Sequence, residues 1–162
     1  MNRLVTIKKK YFRNCKGSVI RKAAASALMC ALLLFPSGCS ARSAVTPETF
    51  QSAAESAVFT VTQEEAQQGT AAYYTASKDD IDVSYVEYGS SADAQGAYAT
   101  MKKSIGSEGA SVVVESDSYC KYTVTNGEMY HVLIRSGATL VYGKTPASGQ
   151  SSLDQLVSDL DY

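Results

Sequence analysis

Phe50, Ala53, Ala54 and Ala57 fall at i, i+3, i+4 and i+7, the single narrow apolar stripe of a helix. Thr46-Pro47-Glu48 stands ahead of it as an N-cap, a proline at the first helical position and an acid in the first turn. A second stripe, Ala94, Ala97, Tyr98, Met101 and Ile105, follows Ser90 with Asp93 as its capping-box partner, and ends by Gly106. A third, Leu153, Leu156, Val157 and Leu160, is predicted to be capped by Ser152 with Gln155. Between these lie segments of β-branched or alternating character. They are Val58 to Val61, Tyr73-Tyr74-Thr75, Ile81 to Tyr88, Ser111 to Glu115, the two flanks of Asn126-Gly127, and Ala138 to Gly143. Gln63 to Gly69 reads as a polar loop and Ser77-Lys78-Asp79-Asp80 as a turn.

Asn126-Gly127 between alternating segments predicts a type I′ hairpin, and Ser136-Gly137 a second tight turn, so the C-terminal half forms an antiparallel meander. The expected architecture is a two-layer α+β domain. An antiparallel sheet of about five to seven strands carries about three helices, packed mainly on one face. Two-residue turns at both sites set Tyr122 opposite His131, and His131 opposite Tyr142, with Cys120, Leu133 and Leu140 in the neighbouring row. Tyr119, Lys121, Thr123, Tyr130, Val132, Ile134 and Val141 share the other face, expected to be mixed and half covered.

The first 38 residues carry eight Lys/Arg and no Asp/Glu, and an apolar run from Ala23 to Phe35 leads to Pro36-Ser37-Gly38-Cys39. That run is shorter than the roughly 20 apolar residues a permanent span needs, and reads as an export signal. Ser37 and Gly38 before the cysteine resemble the lipobox of bacterial lipoproteins, with Pro36 a departure from its aliphatic position. The resemblance implies cleavage before Cys39 and a lipid on its thiol. It divides the chain into a removed leader (1–38), a short tether (39–45) and one extracytoplasmic domain (46–162).

Loss of the leader leaves seven basic against sixteen acidic residues, a net charge of −9. Such a domain is a poor partner for nucleic acid, which selects basic patches. Of four cysteines, Cys15 and Cys30 leave with the leader and Cys39 is the lipid site, so Cys120 stands alone and no disulfide is expected.

Candidate chemistry is sparse. His131, the one histidine, lies in the row Tyr122-His131-Tyr142 diagonal to Cys120, which raises a thiol-dependent enzyme or hydrolase as the alternative function. The simpler account of that row is a core face in which tyrosines satisfy the histidine. Asp79, Asp80 and Asp82 lack the glycine-centred loop and distal glutamate of a calcium site. Ser118 to Lys121 matches S-x-x-K by spacing, but the chain is too short for a penicillin-recognising fold and Pro146 replaces the glycine of a K-T-G box. No metal and no cofactor is expected. Ten of the eleven tyrosines follow the leader, with no tryptophan, so Tyr119 and Tyr130, with Tyr122, His131 and Tyr142, are candidates for binding a wall glycan or peptide. The expected function is a lipid-anchored, non-enzymatic binding or accessory module of the bacterial envelope, held to the membrane and serving another envelope protein or a wall component.

Overall fold

A computed structural model describes residues 42–107 and 112–162. The leader and Cys39 lie outside these residues. The helix signals act largely as written. Helix α1 (Pro47–Ser56) is capped by Thr46, whose Oγ1 accepts the Thr49 N–H at 3.3 Å, and α2 (Ser91–Ile105) by Ser90, whose Oγ accepts the Asp93 N–H at 3.1 Å. Helix α3 (Gln150–Asp159) differs from expectation. It follows a 3₁₀ turn, Ala147–Gly149, has no side-chain cap, and already contains Ser152. A close backbone approach sets its start: a Cβ on Gly149 would lie 2.1 Å from Thr145 Oγ1.

Seven strands form one antiparallel sheet, β1 (Thr60–Gln63), β2 (Thr70–Lys78), β3 (Ile81–Tyr88), β4 (Val112–Glu115), β5 (Tyr119–Asn126), β6 (Met129–Ser136) and β7 (Thr139–Pro146). Their spatial order is β1-β2-β3-β7-β6-β5-β4, two meanders joined where β3 pairs with β7. The connection from β3 to the far edge at β4 is α2, which therefore crosses the intervening strands.

Both predicted hairpins exist, with turns one residue later than expected. Asn126 pairs with Met129 and Ser136 with Thr139, so the loops are Gly127-Glu128 and Gly137-Ala138. In each loop the glycine alone has positive φ, 61° and 56°, the type II′ rather than the I′ pattern. Asn126 is held in the ladder, where its Nδ2 donates to the Ile105 carbonyl at 3.0 Å. The register consequently moves by two. Tyr122 faces Leu133, His131 faces Val124 and Lys144, and Tyr142 faces Leu133. An even shift keeps every side chain on its expected face.

The α+β architecture with helices mainly on one face is observed. Helices α1 and α3 bury Phe50, Ala54, Leu153, Leu156 and Val157 against Val83, Tyr85, Val132, Ile134 and Val141. This face, expected to be half covered, is the main core. Of the described helices, only α2 lies on the opposite face, where Tyr98, Ala97, Met101 and Ile105 meet Cys120, Tyr122, Val124, Leu133 and Leu140. Residues 42–45, assigned to the tether by sequence, are docked on the domain. The Val45 N–H donates to Tyr162 Oη and the Val45 carbonyl accepts from Tyr85 Oη, both at 2.9 Å.

Candidate functional site

The residues singled out by sequence divide between three environments. Tyr119 and Tyr130 are core residues, 7% and 6% exposed, so neither ring offers a stacking platform. Tyr119 Oη accepts from Arg42 at 2.9 Å and its ring packs on Tyr162, while Tyr130 Oη donates to Asp154 at 2.7 Å. α3 and the 42–45 segment cover that face because its alternating positions are more apolar than a solvated sheet tolerates.

His131 and Tyr142 do meet, diagonally across β6 and β7. His131 Nδ1 and Tyr142 Oη are 2.9 Å apart and the rings lie within 15° of parallel. Partial burial, and then the Lys144 charge, lower the histidine pKa, while burial raises that of Tyr142. Cys120 is not part of this pair. It faces Arg135 in the ladder, and His131 faces Val124 four residues further along β5, roughly 13 Å of strand away. The two-residue register shift thus separates the thiol from the imidazole. Asp82 is paired with Lys144 at 3.3 Å, and no metal-ligating cluster occurs among the described residues.

What Cys120 does join is a groove of about 810 Å³ between α2 and the start of β5. One wall is a helical face with residues at i, i+3 and i+7, Gln95, Tyr98 and Lys102, with Lys103 beside them. The other is the turn Glu115-Ser116-Asp117, and the floor is Cys120, Tyr122 and Arg135. Lys102 forms an ion pair with Glu115 and lies over the Tyr122 ring, and Tyr122 Oη donates to the Gly106 carbonyl.

Arg135 is the unusual member. It is 2% exposed, yet no carboxylate pairs with it among the described residues. Its Nη2 donates to the carbonyls of Ser116 and Asp117 at 3.1 and 3.0 Å and to Cys120 Sγ at 3.3 Å. Among the described residues its Nε has no partner, and neither does Tyr98 Oη on the helix wall. Burial strongly raises the Tyr98 pKa, helped by Cys120 and Glu115 and opposed by Arg135, so the hydroxyl keeps its proton. Among the described residues, the groove therefore presents a guanidinium without a carboxylate partner and a neutral phenol, both buried. Sequence reading passed over Arg135. The available signal was an arginine in the same alternating row as Leu133, a position where an unpaired charge is costly.

No family model and no curated protein matches the chain. Among the described residues, no helix is long and apolar enough to cross a membrane. Among solved structures, the chain is similar to a GTP binding regulator from Thermotoga maritima at 10% identity, over 67% of this chain and 82% of that one, with a TM-score of 0.44, too low to carry an argument about function.

Proposed function

We propose that the protein is a lipid-anchored extracytoplasmic module of the bacterial envelope that binds rather than transforms its ligand, with the groove over Arg135 as the binding site. The observation that carries the anchoring is the leader, a basic segment and a short apolar run ending in Ser37-Gly38-Cys39, with all sixteen acidic residues beyond it. The docking of Arg42 to Val45 fits this reading. With a lipid on Cys39, two residues, Ser40 and Ala41, would lie between the anchor and Arg42, at most roughly 10 Å of chain. The domain would then sit close to the membrane surface, its net charge of −9 keeping it off anionic headgroups. A binding role is supported by a groove whose floor holds a charge in need of a partner, and by the separation of Cys120 from His131.

The decisive measurement is the intact mass of protein taken from its native membrane, wild type beside Cys39→Ala. A mass beginning at Cys39 and carrying a diacylglycerol is expected, lost in the variant. A lipid-free mass starting near Arg42 would overturn the anchor and leave a diffusible protein.

A further inference from the structure

The groove over Arg135 also indicates what kind of ligand it takes. A guanidinium has five N–H donors and a permanent charge. Burying it costs several kcal/mol unless an anion compensates it, and the three acceptors on Nη2 are two backbone carbonyls and a sulfur. The distribution of charge points the same way. All seven basic residues beyond the leader are among the described residues, and three of them (Lys102, Lys103 and Arg135) line this groove; of the fifteen described acids two do, Glu115 and Asp117. Glu115 is already paired with Lys102, so the described lining of the groove is a cationic spot on an acidic domain. Two buried polar groups of the lining, Arg135 Nε and Tyr98 Oη, lack partners among the described residues, and both are hydrogen-bond donors when protonated.

We propose that this groove binds a small soluble oxyanion, a carboxylate or a phosphate, with the Arg135 guanidinium as its principal partner and the Tyr98 hydroxyl and Lys103 ammonium as further donors. An oxyanion matches the guanidinium in charge, and Nε, unlike the engaged Nη2, still has its N–H to give to a charge-assisted hydrogen bond. The Nη2 contacts to Ser116 and Asp117 fix the plane of the guanidinium. Lys103, exposed on the rim, contributes long-range attraction. The proposal rests on the binding-module reading and names its ligand class, but it is independent of the lipid anchor.

The test is a titration of the full chain in detergent with sodium phosphate and with disodium succinate, each against sodium chloride at matched ionic strength. Thermal unfolding and amide ¹H–¹⁵N spectra are followed. One of the two salts is expected to raise Tm by several degrees in a saturable way, with shifts centred on Ser107, Ser116 and Asp117. A preference for phosphate or for succinate identifies the source chemistry. Tyr98→Phe and Lys103→Gln should each raise the half-saturating concentration roughly 3- to 10-fold, and Arg135→Gln should abolish saturation. If Arg135→Gln fails to fold, the other two variants decide. A response to both salts no different from chloride, or unchanged saturation in Tyr98→Phe and Lys103→Gln, overturns the proposal. Either result leaves the mass of the anchored form untouched, so the two readings fail separately.

Discussion

Val58 occupies a conformation that β-branched residues rarely adopt, with φ at 65°. Its N–H donates to the Glu55 carbonyl at 3.0 Å, and the Phe59 N–H to the Ala54 carbonyl at 2.9 Å, the Schellman closure usually built on glycine. Phe59, 5% exposed, drives this arrangement by burying its ring, while the Val58 side chain is 75% exposed and gains little. Val58→Gly should therefore stabilise the domain by roughly 0.5–1 kcal/mol, the left-handed strain less the added chain entropy, measured by urea unfolding. A loss of stability would contradict this account. Tyr98→Phe should be neutral or mildly stabilising in anion-free buffer, because it removes a buried hydroxyl that has no partner among the described residues. A loss above about 1 kcal/mol would show that the hydroxyl is bonded in the free protein. His131 supplies a pH dependence. Its folded pKa lies below the ordinary 6.5, so on acidification the unfolded chain takes up the proton first. Stability should fall as pH drops through about 6.5 and level off below the folded pKa, and His131→Gln should flatten that part of a Tm-against-pH curve.

At the scale of elements, much of the fold was legible because local signals and burial agreed. Thr46 and Ser90 cap helices whose apolar stripes face a core, and alternation put each residue of β5, β6 and β7 on the correct face. What sequence missed depends on contacts distant along the chain. Asn126-Gly127 satisfies a type I′ turn locally, but Asn126 is drawn into the ladder by the end of α2, and that displaced the expected Tyr122-His131 pair. The first strand starts at Thr60 rather than Val58 because α1 needs Val58 for its closure. The groove was illegible for a related reason: α2 reaches Arg135 only through its crossover to β4 at the far edge. Helix α3 sits so close to β7 that a Cβ on Gly143 would stand 2.6 Å from Leu153 Cδ1. Leu153 is fully buried and has little room to yield, so Gly143→Ala should destabilise by about 1–3 kcal/mol. Gly143→Ala with Leu153→Val should recover part of that loss if overpacking is the cause.

For the whole molecule, the peptide at Val45 links parts of the chain that no single element connects. Its carbonyl accepts from Tyr85 in β3, its N–H donates to Tyr162 beyond α3, and the neighbouring Arg42 carbonyl accepts from Ser136 at the end of β6. Tyr162 is itself placed by the closure of α3, in which Asp161 takes a φ of 62° and the Tyr162 N–H donates to the Val157 carbonyl at 3.2 Å. The segment leading to Cys39 is thus fastened to both ends of the fold, and its docking and the folding of the core are coupled. Tyr85→Phe and Tyr162→Phe each remove one hydroxyl and leave a buried Val45 group unpaired, at a cost of about 1–3 kcal/mol. Once either bond is gone, the segment can lift and return the other Val45 group to water, so the second removal costs less. A double-mutant cycle should therefore be sub-additive by roughly 0.5 kcal/mol or more, and hydrogen exchange at Val45 should quicken in either single variant. Strict additivity with unchanged exchange would mean that the two tyrosines act independently and that residues 42–45 are held by other contacts.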